Sequence, residues 1–335
     1  MNLKNPQQLV ERLRELQWHI RDAVIGAQQS VDLASVSRVS SADTIYGIDA
    51  VIEPVIEQYM EQWGKEQPLV LIAEGIEPET GRVFPAGARE SAADIRIIID
   101  PIDGTRGLMF DKRAAWSLAG IAPNRGSETR LRDIEAAVMT ELPTSKMGSG
   151  DVLWAIKGNG AHAVRESLDT GHPDTGVPIP LKPSRADGIL HGFASVSNFF
   201  PGTKLLASGL MEHLATHLLG PADVTAATVF EDQYISTGGQ FYELIVGHDR
   251  FNADLRPAFY RMQNQPEGLC CHPYDCATML VAEEAGVIIT DEKGHPLDGP
   301  LDTTTGLSWV AYANPTLRGK IEPLVLEFLR GKARL

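Results

Sequence analysis

Ile97, Ile98 and Ile99 run without interruption into Asp100, Pro101, Ile102, Asp103, Gly104 and Thr105. A short aliphatic run bounded by turn residues is the pattern of a buried strand. The carboxylates of Asp100 and Asp103 are therefore expected at the mouth of such a strand, where the chain must turn. Like charges held together are unfavourable unless a proton or a cation neutralises them. Oxygen-only ligation of this kind suits hard divalent ions, Mg2+ above all, which combines a few carboxylates with waters and substrate phosphate. Gly104 and Thr105 then offer backbone N–H groups at an expected helix start, where a phosphate is stabilised.

The same design appears upstream, where Leu69, Val70, Leu71, Ile72 and Ala73 end on Glu74. Before it, Asn5 and Pro6 open an amphipathic helix with Leu9, Val10, Leu13, Leu16, Ile20, Ala23 and Val24 at helical spacing up to Gly26. A second helical pattern runs from near Asp43 to Gly64, with Pro54 expected to kink or divide it and Asp49 and Glu53 on one face. Further strands are expected at 116–121, 134–139 and 152–156.

Residues 166–188 are rich in Gly and Pro without periodicity, which marks a connection. A chain of 335 residues exceeds what one core usually organises. We therefore expect an α+β domain over 1–185, carrying Glu74 and the 100–105 segment, and an α/β domain over 186–335. In the second, strands and helices alternate through 192–196, 203–219, 238–246, 274–285, 287–290, 308–313 and 317–329.

The net charge of −14 has the wrong sign for a nucleic-acid footprint, so no nucleic-acid polymer is expected as partner. No apolar run approaches the ~18–20 residues that cross a bilayer. Lys4, Glu11, Arg12, Arg14 and Glu15 interrupt any signal-peptide core, so no membrane partner is expected. Cys270, Cys271 and Cys276 leave an odd thiol under any pairing. The expectation is a reduced, cytoplasmic protein with buried thiols.

Three motifs in order, Ala73-Glu74-Gly75, Asp100 to Thr105, and Tyr274-Asp275-Cys276-Ala277 through Glu284-Ala285-Gly286, resemble the inositol monophosphatase superfamily. Its pattern is Gly-Glu-Glu, Asp-Pro-(Ile/Leu)-Asp-Gly-Thr, and Trp-Asp-x-Ala-Ala ending in Glu-Ala-Gly. The resemblance implies a layered αβαβα sandwich of the sugar phosphatase type, and Mg2+-dependent hydrolysis of a small phosphomonoester by a metal-activated water. It implies two or three Mg2+ ions, with Glu74, Asp100 and the Ile102 carbonyl at the first. Asp100, Asp103 and Asp275 would hold the second, and Glu74 would help place a third. Asp49 would hydrogen-bond Thr105, whose hydroxyl orients the water, and a homodimer is the family expectation. Gly104 and Thr105 are the candidate phosphate contacts. Arg106 and His272 are candidate substrate contacts, with Arg38, Lys112 and Arg113 also flanking the catalytic segments.

The sequence departs from the pattern at Ala73, Gly75 and Tyr274, none of them a metal ligand. It carries Gly268 where inositol-specific members have a Glu seven residues before the last acid, with Glu267 one position away. Fructose bisphosphate and phosphoadenosine phosphate phosphatases share the architecture and stay open as substrate readings. So does a binding protein that holds metal and phosphate without turnover, although Thr105 argues against it.

Pro101 occupies the place where a haloacid-dehalogenase phosphatase needs its nucleophilic Asp. His213 and His217 lie i, i+4 apart, but Leu214 stands where a metalloprotease needs Glu. The Gly158-Asn159-Gly160 segment is read as a turn between strands.

Overall fold

A computed structural model describes residues 3–28, 36–39, 44–168, 176–221, 223 and 225–331, with the backbone alone for 36–39, 44–46 and Asp49. The first helix, Pro6–Gln28, buries Leu9, Val10, Leu13, Leu16, Ile20 and Val24, the stripe expected from their spacing. The second, Gly47–Glu66, buries Ile48, Ile52, Ile56, Met60 and Trp63 and passes through Pro54 as one helix. Its start lies later than the periodicity suggested, because Thr44–Tyr46 forms a strand paired with Val36–Val39. Thr, Ile and Tyr fit a pleated surface better than a helix start. Position 43 lies outside the described residues.

Eight strands make one sheet, whose spatial order is Val177–Pro178, Ala161–Ser167, Ser149–Ile156, Ala136–Leu142, Ala115–Pro123, Ile95–Asp103, Leu69–Ala73 and Arg82–Phe84. All pairs are antiparallel except Leu69–Ala73 with Ile95–Asp103. Two of these strands, Ala161–Ser167 and Val177–Pro178, reach into the segment read as a bare connection. A second sheet orders Phe193–Val196, Asp249–Asp254, Trp309–Tyr312 and Ile288–Thr290.

The two sheets and their helices form five layers. The Pro6–Gln28 and Gly47–Glu66 helices cover one face of the large sheet. Thr237–Val246 and Met279–Ala285 lie between the sheets, and Lys204–Leu219 packs with Pro315–Leu329 on the far side of the small one. One apolar cluster runs from Ile98, Trp116 and Leu118 of the large sheet to Phe251, Trp309 and Val310 of the small one. This is the αβαβα sandwich implied by the motifs.

Asp249–Asp254 and the helix Arg256–Met262 were not foreseen. The strand carries only Phe251 and Ala253 as apolar residues, yet Asp249, Asn252 and Asp254 are buried. Burial is tolerated because the polar groups are paired. Asn252 Nδ2 donates to Asp249 Oδ2 at 2.7 Å, and Ser195 Oγ donates to Asn252 Oδ1 at 2.7 Å.

Gly120 sets how closely the segment after Asp275 approaches the large sheet. A Cβ there would stand 2.7 Å from the Ala277 carbonyl oxygen and 2.7 Å from Ile134 Cδ1. Overpacking a tight core costs about 1–3 kcal/mol. Gly120→Ala is expected to destabilise the protein by about that amount in chemical denaturation. An unchanged midpoint would mean that this approach is not tight.

Candidate metal and phosphate site

Ala73 and Ile99 are register partners in the parallel pair of the large sheet, so Glu74 and Asp100 leave adjacent strands at the same level. The Glu74 N–H donates to the Ile99 carbonyl at 3.3 Å. Strict alternation would send positions 100 and 103 to opposite faces of the sheet. A bulge corrects this: Asp100 pairs with Leu118 and Asp103 with Trp116, so three steps on one strand match two on the other. Asp100 Oδ1 accepts from the Ile102 N–H at 3.0 Å. Gly104 then turns at φ 98°, a left-handed conformation that suits glycine, and starts the short helix Thr105–Met109. Thr105 Oγ1 donates back to the Ile102 carbonyl at 2.7 Å.

Asp103 is held by residues more than a hundred positions later. Its Oδ2 accepts from Ser236 Oγ at 2.8 Å and from the Gly238 N–H at 2.6 Å, and its Oδ1 from the Thr237 N–H at 3.2 Å. These donors open the helix Thr237–Val246, where Ser236 is also the N-cap, accepting from the Gly239 N–H at 2.8 Å. A helix N-terminus favours a carboxylate there. Position 238 must be small, since a Cβ would lie 2.4 Å from Leu118 Cδ2. Asp275 comes from the turn before Met279–Ala285, and its Oδ2 accepts from the His272 N–H at 2.6 Å.

One carboxylate oxygen from each of Asp100, Asp103 and Asp275 lies within 4.8 Å of the others. Burial first, then the charges of Glu74, Asp103 and Asp275, push the Asp100 carboxyl well above the usual range. Burial and Asp103 do the same to Asp275. Asp103 is pushed up by burial to about 6, against the opposing pull of its three donors and of Arg256. Three acids in this state fit a hard divalent ion, which supplies the missing positive charge and accepts oxygen ligands. Among the described residues, no other group of three or more His, Cys, Asp or Glu side chains converges in this way.

The acids open into a cleft also lined by Glu74, Ile102, Gly104, Thr105, Arg106 and Tyr274. The Asp49 side chain lies outside the described residues, and the Thr105 hydroxyl proton points to the Ile102 carbonyl. His272 does not line the cleft. It is buried, stacked on Tyr274 at 5.3 Å between centroids, and supports Asp275 through its backbone. Arg113 bonds Asp232 and Glu243, and the Arg38 side chain lies outside the described residues. Glu267 is not in the lining either, and accepts a weak bond from Cys270 Sγ at 3.7 Å. All three thiols are free and buried.

Sequence reasoning missed Phe199, Phe200, Ser236, Thr237 and Arg256, all of which line the cleft. A signal existed for Ser236, because Ser before a helical run is a cap. For Arg256 there was only the close pairing Asp254-Leu255-Arg256, which reads equally as solvated charge.

The raised carboxyl pKa values have a sign. Buried acids that prefer the proton stabilise the metal-free fold at low pH, and this stability is lost as pH rises through about 6. A divalent ion binds the ionised form and offsets that loss. Saturating Mg2+ is therefore expected to raise the Tm more at about pH 8 than at about pH 5. Equal rises at both would show that these acids are not the ion's ligands.

No protein-family model matches the chain. It is 23% identical over 276 residues to a fructose-1,6-bisphosphatase/inositol-1-monophosphatase of Methanothermobacter thermautotrophicus, across 82% of this chain and 80% of that protein. The crystal structure of Leishmania major fructose-1,6-bisphosphatase in holo form matches with a TM-score of 0.68 at 14% identity, covering 98% of this chain and 99% of that one. The extragenic suppressor protein SuhB of Bartonella henselae matches with a TM-score of 0.63 at 15% identity, covering 95% and 98%. The fold is that of the inositol monophosphatase superfamily, as the three acidic motifs had implied.

Proposed function

We propose that the chain is a phosphoric monoester hydrolase that uses Mg2+ to cleave a small phosphomonoester, a sugar or polyol phosphate. The observation that carries the reading is the convergence of three buried acids within 4.8 Å, beside Glu74 and Thr105 in one cleft. Relatives named as inositol monophosphatase and fructose-1,6-bisphosphatase support it.

In this reading Glu74, Asp100 and the Ile102 carbonyl hold a first ion, Asp100, Asp103 and Asp275 a second, and Glu74 helps place a third. Bound ions of this kind lower the pKa of water and neutralise charge developing on phosphoryl oxygens. The protein supplies orientation. The Thr105 hydroxyl has its proton committed to the Ile102 carbonyl, so its lone pairs are what it offers to the attacking water. Asp49, acceptor-only when ionised, would be an alternative acceptor to the Ile102 carbonyl for the Thr105 hydroxyl proton, and either choice leaves the hydroxyl lone pairs to the water. The Gly104 and Thr105 amides receive phosphate oxygens at the turn. No side chain is assigned as a nucleophile, so water attacks phosphorus in line, the ester P–O bond breaks as the new P–O bond forms, the water's proton passes to solvent and the departing alkoxide takes one up from solvent water. The enzyme is read as a cytoplasmic homodimer. Fructose bisphosphate or a phosphoadenosine phosphate would use the same acids.

Purified protein with Mg2+ is expected to release phosphate from a panel of phosphomonoesters. Thr105→Ala should lower kcat by roughly 100-fold or more, within the range for groups that manage a proton, while Mg2+ binding measured by calorimetry persists. A flat wild-type signal across the panel, with Mg2+ still bound, would favour a binding protein without turnover.

A further inference from the structure

Arg113 flanks the acidic segment in sequence, yet the structure gives it a task away from the cleft. Its Nη1 donates to Asp232 Oδ2 at 2.6 Å and its Nη2 to Glu243 Oε1 at 2.9 Å. Its guanidinium carbon stands 3.6 Å from the centre of the Tyr234 ring. One side chain thus straps both flanks of the 232–243 segment. A guanidinium suits this because its donors fork in a plane whose face stacks on an aromatic ring.

Tyr234 lies under the strap, buried at 6% exposure. Its hydroxyl donates to the Ala114 carbonyl at 2.9 Å and accepts from Trp116 Nε1 at 2.9 Å. A phenol fills both roles with one oxygen, and Phe fills neither. Trp116 is in turn the register partner of Asp103 on the neighbouring strand. Two residues after Tyr234 begin Ser236, Thr237 and Gly238, the three donors to Asp103. The packing around them is tight. A Cβ at Gly239 would lie 2.3 Å from Tyr234 Cε1, and one at Gly104 would lie 3.1 Å from both the Ile235 carbonyl oxygen and Ser236 Cβ. The place of the donors over Asp103 therefore follows from where the Tyr234 hydroxyl is tied. Glu74 and Asp100 are set instead by the pairing of their own strands.

We propose that Tyr234 and Arg113 are positioning residues for the metal centre. They hold Ser236, Thr237 and Gly238 against Asp103, and so set the affinity of the ion that Asp103 shares with Asp100 and Asp275. This rests on the assignment of those acids to Mg2+ above. Neither residue is a ligand.

The test is Mg2+ binding by calorimetry on substrate-free protein, so that turnover does not enter. Tyr234→Phe and Arg113→Met should each weaken Mg2+ binding about 3- to 10-fold. That is less than the 10- to 100-fold that loss of an outer-shell partner costs, because the donors are displaced and not removed. In an Asp103→Asn background neither substitution should change the Mg2+ binding that remains. Val325→Ala, a cavity in the helix Pro315–Leu329 beyond the small sheet, should lower the Tm and leave Mg2+ affinity unchanged. This control draws the same distinction where Asp103→Asn binds no Mg2+. If Tyr234→Phe does not fold, Arg113→Met, whose side chain is 31% exposed, carries the test. Wild-type affinity in the folded variants overturns this proposal alone, as does equal weakening in the Asp103→Asn background or by Val325→Ala. Absence of Mg2+ binding by the wild type overturns the metal assignment beneath it.

Discussion

Asp103 is a carboxylate owned by one half of the chain and held by the other. It ends a strand of the large sheet, and its three donors belong to the N-terminal turn of the helix Thr237–Val246 between the sheets. Without those donors, a buried acid beside Asp100 and Asp275 would have only the charge of Arg256 to set against burial and repulsion, both of which favour the neutral form. The helix start therefore does two things at once. It fixes the angle at which the inner layer meets the sheet edge, and it keeps one of the clustered acids closer to ionisation than its neighbours.

The parts of the site that could be read from sequence are those where a hydrophobic run stops at a charge. Ile97 to Ile99 and Leu69 to Ala73 are unambiguous as buried strands, and an acid at the end of either has few places to go. Asp275 has no such run before it and was recognisable only through its motif. Arg256 was not recognisable, because Asp249–Asp254 hides a central strand behind polar letters. Those polar groups are buried in mutual hydrogen bonds, and pairing in three dimensions leaves no periodic trace. The late start of the second helix has a different cause, since the β-forming residues Thr44, Ile45 and Tyr46 outweigh the helical stripe at its edge.

The overall charge of −14 says little about what the cleft attracts. On one side stand acids whose charge calls for cations. On the other stand the guanidiniums of Arg106 and Arg256, each within 5.5 Å of an aromatic ring centroid. A ligand entering between them meets fields set by distances of a few ångströms, where screening by salt and by the remote surface counts least.

The pairing of Ala73 with Ile99 and the bulge between Asp100 and Asp103 have a consequence for how such a chain can change over time. Inserting or deleting one residue in either strand would swing a carboxylate to the reverse side of the sheet, so length there is frozen. The Phe199-Phe200 stretch follows the end of an edge strand and is bound by no comparable register. Descendants of this scaffold are free to alter what they grip while the centre that does the chemistry stays constant in length and position.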